Sequence, residues 1–117
     1  GKALNMQVSN VKMAQKLGMR FELQMTNNEL VIKPTGIEKE FPVLNANFFH
    51  PTLAANDFYL ALTPDGNGHF RHIFDEPVKG KWKLTLSSFE NNWKIQQEVY
   101  LPQANFIELK PDPAQAN

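Results

Sequence analysis

The sequence predicts an all-β fold, an immunoglobulin-like β-sandwich of about seven short antiparallel strands behind an N-terminal α-helix. The opening stretch has helical periodicity and stops at Gly18, the rest alternates with the period of a strand, and turn residues recur at intervals of about 10 residues. The 117 residues suffice for one such domain. A chain of this size buries roughly two thirds of its unfolded surface and needs no metal or disulfide staple.

The helix is predicted over residues 1–18. From Lys2 to Leu17 there is neither proline nor internal glycine, and Gly18 stands where a helix C-cap belongs. Leu4, Val8 and Val11 form one apolar stripe and Met6, Met13 and Leu17 a second, with Ala3 and Ala14 between them. Lys2, Asn5, Ser9, Lys12 and Lys16 are left as a narrow basic face. One sheet covers only part of so wide an arc. The excess points to a second partner on the helix, either another copy in a homodimer or a membrane protein, or else to a helix end laid bare by truncation. The chain opens on Gly1 and Lys2 without an initiator Met, which predicts a fragment or a processed product.

The sandwich is predicted over residues 19–110. Met19, Phe21, Leu23 and Met25 alternate with Arg20, Glu22 and Gln24, as on a half-buried strand. Thr26 to Asn28 turns the chain into a strand from Leu30 to Lys33, and Pro34 to Gly36 turns it again. Further strands are expected at Phe41 to His50, Phe58 to Thr63, His69 to Phe74, Lys81 to Phe89, Trp93 to Leu101 and Phe106 to Lys110. Phe58, Leu60, Trp82, Leu84 and Trp93 fall on inward positions and are expected in the core, Trp82 alone burying about 200 Å². Residues 111–117, polar and bracketed by prolines, read as a disordered tail.

Composition removes several functions. Without cysteine there is no disulfide, thiolate zinc site or cysteine nucleophile. Twelve basic against 12 acidic residues give no net field, so nucleic acid is not an expected partner. No apolar run approaches the roughly 20 residues of a membrane span, and no signal-peptide pattern is present. Ser9, Ser87 and Ser88 lie in no nucleophile elbow, and Glu38 and Glu40 beside Phe41 and Pro42 read as a solvated edge, so no enzyme is expected. Nor is a metal site. His69 and His72, three positions apart on a strand, point to opposite faces; if any metal were held, His50 with the thioethers of Met6 and Met13 would be the ligands and copper the ion. The methionines are better explained as packing.

The most constrained segment is His50 to Asp57. Pro51 holds His50 extended, Thr52 can bond its own loop, and Asp57 can accept from His50 or from loop amides. These residues read as a structural corner, and His50, Pro51, Thr52 and Asp57 are the candidate docking residues.

That corner belongs to a longer pattern: His50, Pro51, Thr52, then Asp57, Phe58, Leu60 and Leu62, Gly68 and Phe70, Gly80, Lys81 and Trp82, and Trp93 with Lys94. In order and spacing it resembles the FixH family, and Gly1 to Asn5 with Ala14, Leu17 and Gly18 is similar to the segment that follows a transmembrane helix in that family. The resemblance runs from Gly1 to about Leu101. It implies a non-catalytic periplasmic domain of a single-span inner-membrane protein whose anchor precedes this chain. The role it implies is assembly or maturation of a cbb-type haem-copper cytochrome c oxidase by protein–protein docking, with oxidase subunits or a copper-transport ATPase as partners. A periplasmic copper carrier and a general binding or adhesion sandwich are the alternatives.

Overall fold

The computed structural model describes residues 2–36 and 41–116, with side chains from residue 8 onward in the helix. The elements are α1 (Lys2–Lys16), β1 (Phe21–Thr26), β2 (Glu29–Pro34), β3 (Leu44–Phe49), β4 (Phe58–Leu62), β5 (Phe70–Ile73), β6 (Gly80–Ser88), β7 (Lys94–Leu101) and β8 (Gln103–Leu109). Short 3-10 turns lie at Ala54–Asn56 and Pro113–Ala116. The strands make two antiparallel four-stranded sheets, β5-β2-β1-β8 and β4-β3-β6-β7. The sandwich is as expected, and its eight strands fall on the eight segments read from the sequence.

The alternation in β1 decides which face is inside: Phe21, Leu23 and Met25 are buried and meet Pro34, Ile32 and Leu30 of β2 in register. The facing sheet contributes Leu44, Ala46 and Phe48 from β3 and Trp82, Leu84 and Leu86 from β6. Phe58 and Leu60, expected inside, are only half-buried, because β4 is an edge strand and has neighbours on one side. Asn27 and Asn28, at φ 50° and 64°, make the tight β1–β2 hairpin, a conformation asparagine tolerates.

Three boundaries differ from expectation for local reasons. β3 starts at Leu44 rather than Phe41: Pro42 has no N–H for a ladder, and the Phe41 ring packs instead, tilted, against Phe21 and Trp93, with centroids 5.9 and 5.8 Å away. β8 starts earlier, at Gln103, as an edge strand whose pairing with β1 shifts register between Leu23 and Met25. Residues 111–117, expected as a disordered tail, include the Pro113–Ala116 turn, which lies against α1 with Ala116 5% exposed. Asp112 caps it by accepting from the Ala114 N–H at 3.0 Å, and Pro113 follows the cap.

The turn also covers part of the apolar arc of the helix; the Ala3, Leu4 and Met6 side chains lie outside the described residues. α1 packs on β7 and on this turn together, so Val11 and Ala14 are buried while Ser9, Lys12, Gln15 and Lys16 stay exposed. Gly18, at φ 64°, ends the helix: Met19 N–H reaches the Ala14 carbonyl at 3.0 Å and Gly18 N–H the Gln15 carbonyl at 3.0 Å, a Schellman closure.

The β4–β5 connection is organised by one carboxylate. Asp65 Oδ1 accepts from the N–H groups of Asn67 and His69, at 2.8 and 3.0 Å, and Oδ2 accepts from Arg71 Nε at 3.0 Å. The His69 amide first, then that of Asn67, with Arg71 adding to both, hold the carboxyl below its ordinary 3.8. A carboxyl depressed in the folded state adds stability that is complete above the unfolded value and disappears as pH falls through the folded one. Thermal melts from about pH 5 down to about pH 2 should therefore show an acid loss that Asp65→Asn removes. Equal acid loss in both proteins would exclude Asp65 as its source.

Candidate functional site

The His50 corner arises where β3 runs out of ladder. The His50 N–H is donated not to a neighbouring strand but to Asp57 Oδ1, at 2.7 Å. Pro51 turns the chain back, and His50 Nδ1 accepts from the N–H groups of Thr52 and Leu53, at 3.2 and 3.0 Å, with Thr52 Oγ1 at 3.4 Å. The Asn56 N–H then bonds the Leu53 carbonyl at 2.9 Å and the Asp57 N–H the Ala54 carbonyl at 3.0 Å, closing the loop into β4. An imidazole nitrogen that receives two N–H groups carries no proton, so the His50 tautomer bears its hydrogen on Nε2. The ring stands edge-on to Trp82, with centroids 5.2 Å apart and planes at 84°.

His50, Pro51, Thr52 and Asp57 are thus brought together as one loop, which presents an exposed Leu53. Its polar atoms are spent on the loop itself. Replacing Asp57 by Ala should cost about 1 kcal/mol in chemical denaturation and speed hydrogen exchange at the His50 amide. Asp57→Asn keeps Oδ1 as acceptor and should cost less; equal losses would mean the bond contributes little.

The candidate copper ligands are not assembled. Trp82 pairs with Val99 and Lys94 with Ser87, so Trp82 and Trp93 stand at opposite ends of the β6–β7 hairpin. His50 sits at the Trp82 end, whereas α1 is tied to the other by Asn10 Nδ2 donating to the Asn91 carbonyl at 3.0 Å. Met13 is half-buried against the core there, and the Met6 side chain lies outside the described residues. His50 Nδ1 is already occupied by N–H groups. His72 lies against Phe74, centroids 4.6 Å apart, and no cluster of three or more His, Cys, Asp or Glu occurs among the described residues.

Sequence reasoning missed the outer face of the β4-β3-β6-β7 sheet. Register aligns Tyr59, Asn47, Thr85 and Gln96 in one row across the strands, Ala61, Asn45, Ser87 and Lys94 in the next, and Phe49, Lys83 and Glu98 on the other side. The Tyr59 hydroxyl donates to Asn45 Oδ1 at 2.8 Å, and Thr85 Oγ1 to Gln96 Oε1 at 3.4 Å. Lys83 Nζ lies 5.5 Å from the Phe49 ring centre. Burial first, then the charge of Lys83, pushes the Lys94 ammonium below its ordinary value. The signal was available in the outward positions of the alternation, where amides, hydroxyls and aromatics are interleaved with three lysines and one glutamate. Around the other sheet Arg71 pairs with Glu29 at 3.3 Å, Arg20 with Glu108 at 3.3 Å and Lys110 with Glu108 at 3.7 Å, while Lys33 lies 3.9 Å from the centre of the Phe106 ring.

A family model described as FixH matches residues 1–100 of the chain. No curated protein and no solved structure matches it.

Proposed function

The chain belongs to the FixH family, and from that premise we propose that it is a non-catalytic periplasmic domain that assists assembly or maturation of a cbb-type haem-copper oxidase by docking to its subunits. The anchor of the full protein, on this reading, is a single inner-membrane span ahead of Gly1. No helix among the described residues is long and apolar enough to cross a membrane.

The observation that carries the docking role, beside the family match, is a corner that is rigidly bonded and yet exposed. Asp57 holds the His50 amide, His50 holds Thr52 and Leu53, and Leu53 remains 57% exposed. A loop ordered this fully costs little entropy on meeting a partner, which favours recognition over chemistry. The alternatives draw less support. A copper carrier would have to use His50 with Met13 across the length of the sandwich. A general binding or adhesion sandwich would need a cleft lined by exposed aromatics, and Tyr59 and Tyr100 stand on the edge strands β4 and β7 with β3 and β6 between them.

The test is photo-crosslinking in cells that make the oxidase, with benzoylphenylalanine at position 53 of the membrane-anchored protein. Recovery of an oxidase subunit is expected. Its absence, together with normal oxidase assembly in cells lacking the protein, would remove the reading. Competition for Cu(I) against a chelator addresses the carrier: affinity tighter than micromolar and lost in His50→Ala would revive it.

A further inference from the structure

We propose that the outer face of the β4-β3-β6-β7 sheet is the docking face and that it takes a protein surface bearing carboxylates, an inference that rests on the docking role above and names where and to what it applies. The face spans about 15 Å across the strands and about 20 Å along them. That is the scale of a small, transient contact. Its apolar anchors are Phe49, Tyr59 and Tyr100, exposed by 37%, 57% and 60%. Between them lie Asn45, Asn47, Thr85 and Gln96, neutral groups that hydrogen-bond a protein partner without the desolvation cost of a charge.

Charge selects the partner. Glu98, the carboxylate in these rows, is already paired with Lys81 at 3.4 Å. Lys83 and Lys94 form no ion pair among the described residues; Lys83 Nζ lies 5.5 Å from the Phe49 ring centre, and its register partner Glu98 is engaged by Lys81. Two unpaired ammonium groups on one flat face attract carboxylates and repel a second copy of the same face, so self-association through it is disfavoured. A lipid surface fits less well, because the central amides would meet hydrocarbon or headgroups without fixed partners. On the opposite sheet Arg20, Arg71 and Lys110 are paired with Glu29, Asp65 and Glu108, and Lys33 lies singly, 3.9 Å from the centre of the Phe106 ring.

The experiment places benzoylphenylalanine at position 59, on this face, or at position 24, on the other sheet, in the membrane-anchored protein within cells that make the oxidase. Crosslinks to an oxidase subunit are expected from position 59 and not from position 24. Lys83→Glu with Lys94→Glu should lower the yield from position 59 at least about tenfold, and the Gln pair should fall between, since reversal turns attraction into repulsion. Both lysines are on the surface, and circular dichroism of the variants checks that the fold is kept. Crosslinks to a subunit from position 24 alone would overturn the inference and leave the docking role standing. A position-59 crosslink indifferent to charge reversal would overturn the acidic partner, and a crosslink to lipid would replace protein by membrane. No subunit recovered from positions 24, 53 or 59 would remove the docking role and this inference together.

Discussion

Trp82→Ala should lower the stability of the domain by about 3–5 kcal/mol, the cost of emptying a buried indole site. Trp82 is 6% exposed and is the hub of an aromatic cluster at one end of the sandwich. Its ring lies 5.3 Å from Phe58, 6.5 Å from Phe48 and 5.2 Å from His50, and Phe58 passes the contact on to Phe74 at 5.7 Å. The indole N–H is donated to the Lys79 carbonyl at 3.2 Å, so the polar edge is satisfied and the apolar body is what is lost. The melting temperature should fall by roughly 10–20 °C. Trp82→Phe keeps most of the buried area and gives up the hydrogen bond, for a loss of about 1–2 kcal/mol. Trp93 remains as the fluorescent reporter in both variants. Because His50 leans on the indole, Trp82→Ala should also quicken hydrogen exchange at the Thr52 and Leu53 amides. A loss under about 1 kcal/mol, or unchanged exchange there, would contradict a core that supports the corner.

What the sequence made legible was local. Gly18 as a helix stop, the alternation through Phe21, Leu23 and Met25, and the Asn27–Asn28 turn each follow from one residue's backbone or from a short period. The corner was legible for the same reason, since His50, Pro51, Thr52 and Asp57 are close in sequence. The misses are non-local. Nothing in Asp112 to Ala116 alone announces that Ala116 will be buried, because its cover is α1, about a hundred positions away. The outer face of the β4-β3-β6-β7 sheet was hidden likewise: Tyr59, Asn47, Thr85 and Gln96 become one row only once β4, β3, β6 and β7 are in order and register. Alternation tells which residues face outward and is silent on which strands are neighbours.

Gly36→Ala should destabilise by about 1–3 kcal/mol or more, the range for forcing an added methyl into filled space, and the upper end is expected because the neighbours are backbone. A Cβ at position 36 would fall on the carbonyl oxygen of Gly18, 2.9 Å from the amide nitrogen of Arg20 and 3.3 Å from its Cβ. Neither atom can swing aside. Gly18 is the left-handed residue that closes α1, and the Arg20 carbonyl accepts from the N–H groups of Thr35 and Gly36, at 2.9 and 3.3 Å. The end of β2 is therefore stitched to the junction between helix and sandwich, and a methyl there must part them. Denaturant unfolding measures the loss, and faster exchange at the Thr35 and Met19 amides locates it. Gly66→Ala is the opposing control: its Cβ would meet nothing within 4 Å, and its φ lies outside the left-handed region. Restricting the unfolded chain there should leave stability unchanged or raise it by about 0.4–1 kcal/mol. If the two substitutions had the same effect, close approach at the junction would not be what requires glycine at position 36.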